Sequence, residues 1–293
     1  MEKNKGRGGM TKNDIDYPPR IDEKLEQLYK NLENIYGEVK FELEDRGLTA
    51  ADLGVNCDER LKSGKQPLIR PDQLDLPNDL VRRVMLNISD EVSDVIAAKK
   101  KQKLQDFASS IERNDLNIDD FLDRFFSNQN HSKEVNSSAD KASIGFELFF
   151  QIMLFTLRPF LSWLREITAE EVEQSESWRQ DTCPFCGAVP ELSRLTHEEG
   201  KRLLFCWLCG NEWRFERFTC LYCGESQADS QKYFVVKNRP YRVDICQDCN
   251  RYLKVIDERR VPETETGKIS WLINDLGTDH LDSLAREEGY TRT

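Results

Sequence analysis

Cys-Pro-Phe-Cys-Gly at 183–187, Cys-Trp-Leu-Cys-Gly at 206–210, Cys-Leu-Tyr-Cys-Gly at 220–224 and Cys-Gln-Asp-Cys-Asn at 246–250 carry eight of the nine cysteines of this 293-residue chain. The pairs are Cys183/Cys186, Cys206/Cys209, Cys220/Cys223 and Cys246/Cys249. Each is followed by a residue that accepts positive φ: Gly187, Gly210, Gly224 or Asn250. That pattern predicts a tight knuckle in which both sulfurs of a pair face one ion. Two knuckles together supply four thiolates, a closed tetrahedral set that zinc or iron accepts, with zinc–sulfur distances of about 2.3 Å. The expected cofactors are therefore two metal ions, iron or zinc. Disulfides suit an oxidising compartment and usually a small secreted domain, and the first residues here do not read as a secretory signal. Thioredoxin-like chemistry needs one C-x-x-C at a helix start within a βαβ pattern, whereas these pairs sit among turns and short alternating strands. A four-thiolate site leaves no open coordination position, so a structural ion is expected rather than a catalytic one.

Four knuckles can pair in three ways. Nineteen residues separate the first two, 22 the last two, and ten lie between the halves. Sequential pairing, Cys183/Cys186 with Cys206/Cys209 and Cys220/Cys223 with Cys246/Cys249, encloses one hairpin in each site and needs no crossing connection. The hairpins are read from alternation: 191–195 with 202–205 around a turn at His197–Gly200, and 232–236 with 241–245 around Asn238–Pro240. Trp213 and Phe215 alternate after the second knuckle, and 252–256 makes a further strand. The halves are tandem copies of one plan. Inside the knuckles stand Phe185, Trp207, Leu208, Leu221 and Tyr222. Exposed together they would form an apolar patch suited to a protein partner, and the competing reading packs the two ribbons against each other.

Outside this region the texture is helical. Ile21, Leu25, Leu28, Leu32, Ile35, Val39 and Leu43 recur at helical spacing, with Gly47 as a stop. Leu80 to Ile96 repeats that spacing, and the basic run Lys99–Lys103 reads as the solvated end of the same helix. A short helix is expected over 117–126 and a loop over 127–138. Ile144–Leu157 predicts a buried central helix, too short and polar to span a bilayer, closing near Arg158-Pro159 and followed by a separate helix. After Pro262, 269–288 returns to helix with a break at Gly277. Cys57 has no neighbouring ligand in sequence and reads as an ordinary free thiol. The expected division is a tail at 1–20, a helical domain at 21–168, a linker at 169–182, four-cysteine modules at 183–219 and 220–262, and a helical segment at 263–293. The fold class is α+β.

The formal charge is −11, from 42 basic and 53 acidic side chains. Nine basic and nine acidic residues lie between Cys183 and Cys249, so the ribbons offer no basic stripe for nucleic acid. No nucleophile elbow, H-E-x-x-H or dinucleotide fingerprint occurs, and His131, His197 and His280 read as surface or packing residues. No enzyme is expected.

The four knuckle motifs, extended to Cys-Pro-Phe-Cys-Gly-Ala-Val-Pro (183–190), Cys-Trp-Leu-Cys-Gly-Asn-Glu-Trp (206–213) and Cys-Gln-Asp-Cys-Asn-Arg-Tyr-Leu-Lys (246–254), resemble the formate dehydrogenase accessory protein family, FdhE. So do Leu-Arg-Pro-Phe-Leu (157–161) and Leu-Asp-Ser-Leu-Ala-Arg-Glu-Glu-Gly-Tyr (281–290). The resemblance implies a cytoplasmic, non-enzymatic bacterial factor with two rubredoxin-like sites usually associated with iron, all eight cysteines standing at family positions. Its implied partner is the catalytic subunit of a molybdenum- or tungsten-containing formate dehydrogenase, with self-association left open. Two other classes stay open beside it: an iron redox protein of rubredoxin type, and a zinc ribbon for nucleic acid, which the charge disfavours.

Overall fold

The structure is a computed structural model, and it describes residues 21–55, 67–69, 74–115, 144–170, 178–235, 240–262 and 270–292. Cys57, His131, the short helix expected at 117–126 and the loop at 127–138 lie outside these.

Among the described residues four helices precede the cysteines: α1 (Glu23–Asp45), α2 (Asn78–Ser93), α3 (Ala98–Glu112) and α4 (Phe146–Ile167). Asp22 caps α1 by accepting from the Lys24 amide, and Leu28, Leu32, Ile35, Val39 and Leu43 form its buried stripe. The helix stops where Gly47 turns to φ +65° and Leu48 N–H reaches back to the Leu43 carbonyl at 3.2 Å. Gly lacks the Cβ that would penalise this C-terminal turn.

Two helix boundaries differ from expectation. The basic run does not end α2; it opens α3, whose first turn carries no acidic residue. The chain turns at Asp94–Ala97 without Gly or Pro, so nothing in the local sequence marks the break. Likewise α4 does not close at Pro159 but runs through it. Leu157, Phe160, Leu161 and Leu164 are fully buried there, and packing on every side holds a helix that proline alone would interrupt.

The cysteine region forms one six-stranded sheet from β1 (Pro190–Leu195), β2 (Arg202–Cys206), β3 (Glu212–Phe215), β4 (Gln231–Val235), β5 (Tyr241–Cys246) and β6 (Tyr252–Asp257). Its order is β3-β2-β1-β6-β5-β4. Each half contributes an antiparallel three-stranded ribbon, and the halves join through the parallel pair β1–β6, with Leu192 opposite Lys254 and Leu195 opposite Asp257. The tandem copies are therefore fused edge to edge in one ladder.

Two cores flank this sheet. One is continuous from the helices into the first knuckles, taking in Leu32, Val84, Phe107, Phe160 and Trp178 together with Phe185, Leu204, Leu208, Trp213 and Leu253. The other lies between the sheet and the C-terminal helices α5 (Trp271–Gly277) and α6 (Asp279–Glu287), and joins Leu192, Tyr241, Val243, Ile245, Tyr252 and Ile256 to Leu281 and Ala285. The break between α5 and α6 falls at Thr278, one residue past Gly277.

Candidate metal centres

All four knuckles are closed by the same hydrogen bond: the first cysteine of each pair donates its N–H to the carbonyl five residues on. Cys183 reaches Ala188 at 2.9 Å, Cys206 reaches Asn211 at 2.9 Å, Cys220 reaches Glu225 at 2.7 Å and Cys246 reaches Arg251 at 2.9 Å. That closure needs positive φ after the second cysteine. Gly187, Gly210 and Gly224 have +75°, +72° and +74°, and Asn250 does the same work at +55°. Asn is among the few non-glycine residues that tolerate this region.

The sulfurs gather as the spacing predicts. Cys183, Cys186, Cys206 and Cys209 form one group, and Cys220, Cys223, Cys246 and Cys249 the other, with all ligand atoms of each group within 4.8 Å of one another. Sulfur–sulfur contacts are 3.4–3.6 Å in the first group and 3.7 Å in the second. A tetrahedron with metal–sulfur arms of about 2.3 Å has edges of about 3.8 Å, so the donor sets fit a zinc- or iron-sized ion. In the first group burial pushes the Cys186 and Cys209 thiols well up, and a cation held by the four sulfurs would supply the charge that offsets this. In the second, burial works against ionisation of Cys246, but the amides of Cys249 and Asp248 bring it down to about 7.

The two groups differ in their surroundings. In the first, all four cysteines are 0–1% exposed. Leu68 and Ile69 donate backbone N–H groups to the Pro184 and Phe185 carbonyls, both at 2.8 Å. A Cβ at Gly187 would stand 3.0 Å from the Pro67 ring. From α4, Arg158 donates to the Trp207 carbonyl at 2.8 Å, and Ser162 to that of Cys209 at 3.5 Å. In the second group Cys220 and Cys246 are buried, Cys249 is half-buried and Cys223 is exposed. Among the described residues nothing lies within 4 Å of a Cβ placed at Gly224.

The knuckle residues do not form the exposed patch considered from the sequence. Phe185 and Leu208 are fully buried, Leu221 is 5% exposed, and Trp207 and Tyr222 are half-buried against the helical core. They do not simply pack ribbon on ribbon either. Trp207 meets Phe150 of α4 with ring centroids 5.3 Å apart, while Tyr222 donates its hydroxyl to the Tyr252 carbonyl. Helix α4 claims Trp207, a tertiary contact that the local motif does not encode, and Tyr222 is held within its own module. His197 lies in the β1–β2 turn and His280 on α6, neither near a cysteine group.

Sequence reasoning missed the outer supports of the first group, Pro67–Ile69, Arg158 and Ser162. One signal existed: Arg158 is a cation inside the most apolar stretch of the chain. It also missed a buried charge cluster behind β6. There Lys254, 2% exposed, contacts Asp275 at 2.6 Å and Asp282 at 2.7 Å, and Arg292 contacts Asp275 at 3.0 Å. A lysine at an inward position of an alternating strand was the available clue.

The family model for the FdhE central domain matches residues 182–217, the first knuckle, hairpin and second knuckle. The chain resembles the FdhE family. An FdhE homologue from Aquifex aeolicus is 31% identical over 150 residues, covering 48% of this chain and 50% of that protein. One from Haemophilus ducreyi is 34% identical over 122 residues, covering 41% of this chain and 38% of that protein. The chain thus spans half the length or less of these curated FdhE relatives. The crystal structure of the FdhE protein from Pseudomonas aeruginosa matches with TM-score 0.55 and 19% identity over 92% of this chain and 91% of that one, a likeness of fold. No helix among the described residues is long and apolar enough to cross a membrane.

Proposed function

We propose that this chain is a non-enzymatic accessory protein of formate dehydrogenase, acting in the cytoplasm on the catalytic subunit of a molybdenum- or tungsten-containing enzyme during its maturation. The observation that carries this reading is the FdhE likeness centred on the first cysteine module, joined to a full-length likeness of fold. The eight cysteines, Cys183, Cys186, Cys206, Cys209, Cys220, Cys223, Cys246 and Cys249, hold two ions, and closed four-thiolate coordination supports a scaffold rather than a reaction centre. Deleting the gene for this chain is expected to lower formate dehydrogenase activity and restoring it to recover that activity, with the catalytic subunit co-purifying on the tagged chain. Full activity in the deletion strain would refute the proposal.

The exposure of Cys223 favours a second reading, an iron centre of rubredoxin type that exchanges electrons through its second site. Anaerobically purified protein would then show visible thiolate-to-iron absorption that bleaches and returns with reductant and oxidant. Zinc in both sites would exclude it.

A further inference from the structure

The sheet ends at β4, and among the described residues nothing pairs with its outer edge. Its register with β5 runs unbroken from Gln231 to Val235, without the bulge or proline that commonly blunts such an edge. Tyr233 and Val235 alternate on one face and are 48% and 49% exposed, and Phe218, in the segment joining the two modules, is 72% exposed. Tyr233 and Val235, large apolar side chains left on a free edge strand, mark a place where another chain adds.

The charge beside the Val235 end of this edge is opposite to that of the molecule. Arg242, directly opposite Val235, stacks its guanidinium 4.9 Å from the Tyr233 ring. Arg202 and Arg242 share Asp244, and Arg259 is held by Asp257 through two bonds of 2.7 Å. Arg217 has no carboxylate partner among the described residues; its guanidinium lies 5.1 Å from the Phe218 ring and beside Arg259 at Gly200. Burial, and then the positive charges of Arg259 and Arg242, push the Arg217 guanidinium below the ordinary arginine value, with Asp257 the opposing charge and Arg202 a further cation. Four arginines and two aspartates thus meet beside an open strand in a chain whose formal charge is −11.

We propose that the outer edge of β4 takes an extended acidic segment of a partner protein as a seventh strand, with carboxylates on Arg217 and Arg259 and apolar side chains on Tyr233 and Val235. Backbone ladder bonds give such an addition its affinity, and the side chains beside the edge select its sequence. The carboxylates answer the unpaired guanidinium, an attraction that an acidic segment gains against a chain whose overall charge is negative. This inference does not depend on which protein the partner is, so it stands or falls apart from the formate dehydrogenase reading.

The test uses the metal-loaded full chain and a fluorescein-labelled decapeptide of alternating glutamate and valine, read by fluorescence anisotropy. The expected result is saturable binding that weakens with added salt, and that falls at least tenfold in Arg217→Glu and in Tyr233→Ser. Arg214→Glu, an equal charge change on β3 at the opposite edge, should leave it within twofold. Both test positions are surface-accessible, and unchanged melting curves confirm folding, with Arg217→Gln as the milder variant. Absent binding, an equal loss in Arg214→Glu, or equal binding of a peptide N-methylated at alternate amides would each overturn strand addition. Dimerisation of the chain that Arg217→Glu abolishes would also overturn it, by giving the edge to a second copy.

Discussion

Single residues divide the two cysteine groups into unequal sites. Cys186 is 1% exposed inside the shared helical core, whereas Cys223 is open to solvent. Removing one thiolate from the first site leaves a buried, under-coordinated ion or three buried thiols, and structural zinc contributes about 10–16 kcal/mol to folding in small peptides. Cys186→Ser is therefore expected to abolish the cooperative melting transition, while Cys223→Ser keeps it and shifts the midpoint by a few degrees. Equal effects in differential scanning calorimetry would show that burial does not rank the sites. Trp207 gives a second test at this scale. Half-buried against Phe150, its change to alanine should cost about 2–3 kcal/mol by denaturant titration, less than for a fully buried tryptophan. A variant as stable as the parent would return this side chain to the surface role considered from the sequence.

Among elements, the C-terminal helices depend on the charge cluster under them. All three Lys254 donors are occupied, by the carboxylates of Asp275 and Asp282 and by the Asp275 carbonyl at 2.7 Å. Replacing Lys254 by methionine leaves three carboxylates, Asp275, Asp282 and Glu191, facing one arginine in a buried setting, a loss of about 3–5 kcal/mol. Hydrogen exchange should show residues 270–292 deprotected while β1–β3 stay protected, and unchanged protection there would sink the idea. The same cluster sets a pH limit. Burial opposes ionisation of Asp275, but Lys254 and Arg292 hold it below the ordinary carboxylate value. A depressed folded pKa means that the contribution is fully present above the unfolded value near 4 and is lost as pH falls through the lower folded one. The helices should hold at pH 5 and loosen below about pH 4, followed through the hydrogen exchange of residues 270–292 in the unaltered chain.

The strands, knuckles and turn residues were legible because each is locally specified: alternation, C-x-x-C and a residue tolerant of positive φ sit within a few positions of one another. The continuity of α4 through Pro159 and the start of α3 at the basic run were not, because burial by distant residues decided both. The Lys254 cluster and the β1–β6 pair were hidden for a related reason, since their members lie far apart in sequence.

For the whole molecule, the helical layer and the first module share one core, whereas the second module is joined to it mainly through the sheet and the packing of Leu221, Tyr222 and Leu253. The first ion is thereby tied to the stability of most of the chain, and the second to a more open end. Native mass spectrometry during slow chelation, with iodoacetamide added to trap each released thiol, tests this division most directly. The account predicts a folded species holding one ion, with label on Cys220, Cys223, Cys246 and Cys249 and none on Cys183, Cys186, Cys206 and Cys209. Loss of both ions in a single step, or first labelling of the buried group, would contradict it.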